Sequence, residues 1–342
     1  MRAATGDPAG SNRSTNTRAP RASGCRRRRA PEANTGSIRI NRKQVLSMTN
    51  IGVIGLGNMG RGMAASLLRK DFAVVGYDAS PASAALAGEA GVQLVDSLAA
   101  VAQRCDTLVL SLPNPQIVEA VIHGEGGLLG HLREGTLIVD TSTSDPQVSR
   151  RLAAQLAERG VRFIDAPVSG GPRGAQNGEL TFFLGGEASD IAAAGPVFDA
   201  LAKARFHIGA SGAGNVAKIV NNLLVASHLV IAAEAFKLAE SAGVPVEDLL
   251  ESINAGSGRS GVTTYNYPSR IVNGAFNSGF TMGLMRKDVR LALALVDAQG
   301  LDLPVCNDIA GVWAASEAAL ADGEDFNRIV QFAASGAHTQ PA

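Results

Sequence analysis

Lys218, Asn221 and Asn222 stand in a stretch otherwise rich in Ile, Val, Leu and Ala, "GAGNVAKIVNNLLVASHLVIAAEAFKLAE" (212–240). Gly212 and Gly214 open what reads as one long apolar helix, and Lys218 and Asn222, four apart, share a face of it. A lysine on such a helix commonly carries its ammonium out to water along its aliphatic stem. Kept among apolar neighbours, it loses proton affinity, which suits proton transfer near neutral pH. The asparagine can orient either the amine or a substrate hydroxyl. A second stretch of unusual composition, "DAPVSGGPRGAQNGELTFFLGG" (165–186), holds six glycines in 22 residues. Backbone N–H groups around Ser169, Gly170 and Gly171 can form a nest for an anion such as a substrate carboxylate, with Ser169 donating a further bond. The plainer reading is a loop of turns and a bulge.

A third motif supplies the partner for such chemistry. "IGVIGLGNMGRG" (51–62) places Gly55, Gly57 and Gly60 at G-x-G-x-x-G spacing after a short apolar run and before a helical one. In a dinucleotide fingerprint the first glycine makes the turn, the second admits a pyrophosphate and the third lets helix and strand pack closely. Leu56, Asn58 and Met59 fill the loop, and the helix N-terminus offers free N–H groups to the phosphates. Eighteen residues beyond Gly60, Asp78 ends the second apolar run. A carboxylate there accepts bonds from ribose hydroxyls and repels a 2′-phosphate. No cation immediately follows it in "DASPAS", so NAD is expected over NADP. The competing readings are a flavin or a degenerate loop kept for packing.

These residues need a scaffold, and the chain provides one. Apolar runs at 51–55, 73–78, 107–112, 136–140, 161–168 and 180–186 alternate with helical segments. That alternation predicts a doubly wound parallel sheet covered on both faces. Ligands of such sheets lie at the carboxyl ends of the strands. Leu112 and Pro113 in "SLPNP" and Thr143 in "DTSTSDP" are therefore further candidates for the cofactor pocket. Ser144 or Asp145 before Pro146 also reads as a helix cap.

Of 342 residues, 46% are hydrophobic and 18% charged, enough to bury a sizeable core. The balance of 31 basic and 31 acidic residues conceals an asymmetry. Residues 1–48 hold ten Arg and one Lys against Asp7 and Glu32, leaving 20 bases and 29 acids, a net charge of −9, from Thr49 onward. The Arg-rich stretch has almost no aliphatic periodicity and reads as a disordered extension. "CRRRR" (25–29) also fits a nucleic-acid patch or a transit peptide, but the acidic body argues against nucleic acid as partner. No uncharged apolar run reaches bilayer-spanning length, so no membrane association is expected. Cys25, Cys105 and Cys306 show neither metal spacing nor a disulfide pattern. A reducing, cytoplasmic setting is the expectation.

Four blocks in order, "GLGNMGRGMA" (55–64), "DAPVSGGPRGAQNGELTFFLGG", "GAGNVAKIVNN" (212–222) and "GFTMGLMRKDVRLAL" (279–293), resemble the β-hydroxyacid dehydrogenase family over about residues 50–335. The resemblance implies a Rossmann domain over 49–212 and an all-helical domain over 213–335 joined by the long helix, with a tail at 336–342. It implies Lys218 as catalytic acid and base with Asn222 as partner, and Ser169, Gly170 and Gly171 as carboxylate ligands. Lys287 and Phe280 would reach the cofactor from the second domain, and the protein would form a homodimer or homotetramer. Helices are expected at 245–253, 284–298, 303–320 and 325–334. With no metal-ligand cluster in the sequence, the expected reaction is metal-free hydride transfer between NAD and a short 3-hydroxy acid or its semialdehyde. "SGR" (257–259) and the Asn221–Asn222 pair resemble 3-hydroxyisobutyrate enzymes, which makes these the first expectation. Tartronate semialdehyde (2-hydroxy-3-oxopropionate) reductase or another short β-hydroxy acid dehydrogenase is the alternative. More distant are an imine reductase, which typically lacks the helix lysine, and a non-catalytic cofactor-binding protein.

Overall fold

The structure, a computed structural model, describes residues 50–336. The extension expected over 1–48 and nearly all of the expected tail lie outside the described residues.

The first half alternates strand and helix as its apolar runs require. β1 (Asn50–Ile54), α1 (Asn58–Arg69), β2 (Ala73–Tyr77), α2 (Pro81–Glu89), β3 (Gln93–Leu94), α3 (Leu98–Arg104), β4 (Thr107–Leu110), α4 (Pro115–His123), β5 (Leu137–Asp140), α5 (Pro146–Ala157) and β6 (Arg162–Asp165) follow in order. Then come β7 (Val168–Ser169), α6 (Gly171–Asn177), β8 (Leu180–Gly185), α7 (Ala188–Ala193), α8 (Gly195–Leu201) and β9 (Ala202–Gly209). The sheet runs β3-β2-β1-β4-β5-β6-β8-β7, with β9 also on β8. β1 to β6 pair in parallel, so the strand order reverses between β1 and β4. That switch point is where a doubly wound sheet holds its ligand. Alternate residues feed the two faces: Leu108, Leu110 and Ile138 pack on one side, Val109, Leu137 and Val139 on the other.

The departures from a purely parallel sheet have local causes. β8 runs antiparallel to β6 and β7, because only the short glycine-rich turn and α6 separate them. β9, "AKARFHIG", has no apolar run to announce it. It is an edge strand with both Phe206 and Ile208 exposed.

From Ala213 the described chain is helical: α9 (Ala213–Ser241), α10 (Val246–Ala255), a π-helix (Val262–Ile271), α11 (Met282–Ala298), α12 (Pro304–Ala315) and, after a 3₁₀ turn at Phe326–Arg328, α13 (Ile329–Ala334). α9 is long and apolar enough to cross a membrane by length and composition alone. Here one face of it packs on β8 and on α11 and α13. Phe236, Leu229 and Ala226 of that face join Trp313 of α12 and Met285 of α11 in a second core. The expected helix at 303–320 ends earlier, turning into 3₁₀ at Ser316, whose hydroxyl accepts from the buried Arg286. Between the expected helices at 245–253 and 284–298 lies the π-helix, with Tyr267 edge-on to Phe236 at 4.6 Å.

Candidate active site

The glycine loop turns from β1 into α1 at the switch point. Gly55 has φ +88°, and a Cβ there would lie 2.3 Å from the Ser111 carbonyl oxygen. A Cβ on Gly60 would lie 1.8 Å from the Gly55 carbonyl oxygen. Both glycines are thus required by the protein's own packing. Gly57 is different, since a Cβ there would meet nothing within 4 Å. No neighbour among the described residues accounts for its missing side chain, whereas a pyrophosphate on the α1 N-terminus would. Asp78 closes the other side of the loop: Oδ2 accepts from the Leu56 N–H at 2.6 Å and Oδ1 from the Ser80 N–H at 2.7 Å. The Leu56 side chain is buried in the sheet core, so only its backbone faces the loop. Met59 also packs against that core, and Asn58 Oδ1 accepts from Arg61. The residues fit a dinucleotide, which supplies a hydride acceptor and donor when bound.

Leu112, at the end of β4, donates its N–H to Ser142 Oγ at 2.9 Å. The Ser142 N–H in turn donates to Asp140 Oδ1 at 3.0 Å. Asp145, with Pro146 at the first helical position, caps α5 as the sequence suggested. Pro113 lines a cleft of about 560 Å³ whose opposite wall is the Leu284–Lys287–Leu291 face of α11. Lys287 bridges this cleft: its ammonium donates to the Thr143 carbonyl oxygen at 2.9 Å and lies 3.0 Å from Asp288 Oδ1.

Lys218 is 8% exposed, Asn222 4% and Asp288 1%. Burial draws the Lys218 amine down to about 8; Asp288 opposes that shift and Lys287 adds to it. Among the described residues no group forms a hydrogen bond with Lys218 Nζ, which leaves the amine free for a reacting hydroxyl. Asn222 Nδ2 donates to Asp288 Oδ2 at 2.5 Å, and its Oδ1 accepts from Asn221 at 3.0 Å. The amide orientation is therefore dictated by the carboxylate. The block "GFTMGLMRKDVRLAL" points to Lys287 but not to Asp288, whose burial no spacing reveals.

The glycine-rich segment is built as β7 and the start of α6, with Gly170 at φ +128° and Gly171 at φ +63°. Ser169 sits in β7 opposite Thr181. Phe280 reaches this region from the helical side. Its segment lies against Gly171 and Pro172, as the close approaches of Ser278 and Gly279 show, and its ring packs edge-on to Phe326 at 5.4 Å. The "SGR" segment (257–259) links α10 to the π-helix. It adjoins the π-helix whose Tyr267 touches Phe236, eighteen residues beyond Lys218 and so about 27 Å along α9.

A switch-point glycine loop, a carboxylate tethering that loop and a buried amine on the long helix mark an NAD(P)-dependent oxidoreductase acting on CH–OH groups. Comparison with known proteins narrows this. Residues 50–209 match the family described as the NAD binding domain of 6-phosphogluconate dehydrogenase. Residues 212–333 match that described as NAD-binding of NADP-dependent 3-hydroxyisobutyrate dehydrogenase. The chain is 36% identical over 281 residues to 2-(hydroxymethyl)glutarate dehydrogenase of Eubacterium barkeri, covering 82% of this chain and 93% of that one. It is 37% identical over 256 residues to human mitochondrial 3-hydroxyisobutyrate dehydrogenase, covering 73% and 76%. The solved structure of Mycobacterium tuberculosis 3-hydroxyisobutyrate dehydrogenase with L-serine superimposes with a TM-score of 0.77 at 33% identity, over 83% of this chain and 98% of that one. The chain belongs to the β-hydroxyacid dehydrogenase family. Imine reductases such as that of Bacillus cereus, at 18% identity and a TM-score of 0.56, share the fold alone.

Proposed function

We propose that the protein oxidises a short 3-hydroxy acid to its semialdehyde with NAD, 3-hydroxyisobutyrate being the first candidate. Lys218 takes the hydroxyl proton as the carbinol hydrogen leaves as hydride, and returns it in the reverse direction. Asn222, held by Asp288, orients the amine or the hydroxyl. Ser169, Gly170 and Gly171 bind the carboxylate, and Lys287 and Phe280 flank the cofactor. The observation that carries this reading is a buried amine drawn down to about 8, with no hydrogen-bonding partner among the described residues. An amine so placed exchanges a proton near neutral pH without a metal. Asp78, with no cation following it, supports NAD over NADP. The division at residues 212 and 213, the homo-oligomer, the cytoplasmic setting and the absence of nucleic-acid or membrane partners belong to the same proposal. Support comes from the acidic body and from the free thiols of Cys105 and Cys306.

The test is a panel of 3-hydroxyisobutyrate, 2-(hydroxymethyl)glutarate, tartronate semialdehyde and L-serine, run in parallel with NAD and NADP. The highest kcat/KM is expected for 3-hydroxyisobutyrate with NAD. Turnover confined to a cyclic imine, or none at all despite tight NAD binding, would refute the reading.

A further inference from the structure

Two fully buried carboxylates lie side by side at the carboxyl ends of β5 and β6. Asp140 and Asp165 are register partners, and neither is exposed. Burial pushes Asp140 up to about 7 and Asp165 up to about 6. Two acids that resist ionisation are costly to keep in a core unless their bonds serve a purpose. Those bonds diverge. Asp140 Oδ1 accepts from the Ser142 N–H, Ser142 Oγ accepts from the Leu112 N–H, and Asp140 Oδ2 has no partner among the described residues. This chain leads to the cofactor edge. Asp165 Oδ1 accepts from the Gly212 N–H at 2.7 Å and Oδ2 from the Asn215 N–H at 2.9 Å. That chain leads to the first turn of α9, one turn before Lys218.

The space around Asp165 is cut to the carboxylate. A Cβ on Gly185 would lie 2.4 Å from its Oδ1, and one on Gly214 would lie 2.9 Å from its Oδ2. Asn215 completes the clamp by accepting from the Ser144 N–H at 2.8 Å and donating to Ser149 Oγ at 3.0 Å. Asp165 also immediately precedes the turn that leads to Ser169. One residue therefore ties the start of the catalytic helix to the start of the carboxylate-binding loop.

We infer that Asp165 is a positioning residue that sets Lys218 relative to Ser169 by clamping the first turn of α9, while its neighbour Asp140 positions the cofactor edge instead. The inference rests on the proposed role of Lys218. It predicts that the two isosteric changes separate. Asp165→Asn keeps the volume but turns an amide N–H₂ toward a backbone N–H, so one arm of the clamp is lost. Asp140→Asn leaves α9 untouched.

The experiment uses the full chain and three readouts: kcat and KM with the best substrate of the panel, NAD affinity by fluorescence titration, and the titration midpoint of Lys218. The last is read by labelling with an amine-reactive reagent across pH, followed by mass spectrometry. For Asp165→Asn, kcat is expected to fall roughly 10²-fold, as a misplaced group costs. NAD affinity should hold within about threefold, since the cofactor-edge bonds remain. The Lys218 midpoint should rise from about 8 towards the ordinary 10.5 as its first turn loosens. For Asp140→Asn, NAD affinity is expected to weaken roughly tenfold, one hydrogen bond's worth, with the Lys218 midpoint unchanged. Should Asp165→Asn not fold, Asp165→Ser retains one acceptor oxygen and fits beside Gly185 and Gly214; it should show the same changes, smaller. A folded Asp165 variant with a midpoint near 8 and unaltered kcat would overturn the inference. So would equal effects of the two Asn variants on every readout, or failure of both Asp165 variants to fold, since a general structural role then suffices. If the wild type turned over none of the acids yet the Lys218 midpoint rose in Asp165→Asn as described, the functional reading would fail and the clamp would stand.

Discussion

Asp288 Oδ2 accepts the Asn222 amide at 2.5 Å across the α9–α11 contact, and the same carboxylate opposes the depression of the Lys218 amine. One buried charge thus orients the asparagine and holds the lysine's proton affinity up. The sign of its removal follows. Without Asp288 the ammonium loses its stabilising anion while desolvation and Lys287 still act against it, so the Lys218 pKa must fall further below about 8. In the wild type, oxidation requires the neutral amine and should rise with pH through a midpoint near 8, whereas reduction requires the ammonium and should decline through the same midpoint. Asp288→Asn should move both midpoints to lower pH, measured as the pH dependence of kcat/KM in each direction. An upward shift would show that the carboxylate does not act on the amine.

Lys218→Met tests the amine directly. Methionine fills the aliphatic volume, so the buried α9 face stays packed. Loss of a general acid–base group should lower kcat by roughly 10²- to 10⁴-fold. NAD affinity, measured by fluorescence titration, should hold. Persistent turnover with cofactor binding unchanged would remove Lys218 from the chemistry.

Gly57 and Gly60 of the loop should respond differently to one methyl group. Gly60→Ala drives a Cβ into the Gly55 carbonyl and should lower the thermal midpoint markedly. Gly57→Ala meets nothing in the protein and should leave that midpoint within a degree or two, yet weaken NAD by roughly tenfold as the methyl takes space needed by the pyrophosphate. Calorimetry and titration on the same two variants decide this. Equal destabilisation by both would mean that Gly57 is also a packing glycine.

Why some of this was legible in the sequence and some not has a physical basis. The parallel strands could be read because burial on both faces writes an uninterrupted apolar run, as in "TLVLSL" and "TLIVD". β9 could not, because an exposed edge strand keeps polar residues such as Lys203 and Arg205. The π-helix could not, because Pro268 inside it reads as a breaker. At the site, Lys218 stood out through contrast with its aliphatic neighbours. Asp165, Asp140 and Asp288 gave no such contrast. Each ends a strand or follows a charge, positions where an acid is ordinarily solvated, and only the tertiary packing makes them buried and paired.

Asp78 sets the last prediction. Its carboxylate tethers the glycine loop through the Leu56 N–H, and we propose that it holds the adenosine ribose of the dinucleotide. A 2′-phosphate would bring a dianion against it, at a cost that screening by salt reduces only in part. Asp78→Ala should therefore do two things at once. Loss of the tether and of the ribose acceptor should raise the KM for NAD by roughly tenfold. Relief of repulsion should lower the KM for NADP. The preference should narrow without reversing, because Ala79, Ser80 and Pro81 offer no cation to a phosphate. Steady-state kinetics with both cofactors, at two salt concentrations, measures the ratio. A wild-type enzyme already preferring NADP, or a variant in which the ratio did not move, would show that Asp78 does not read the ribose.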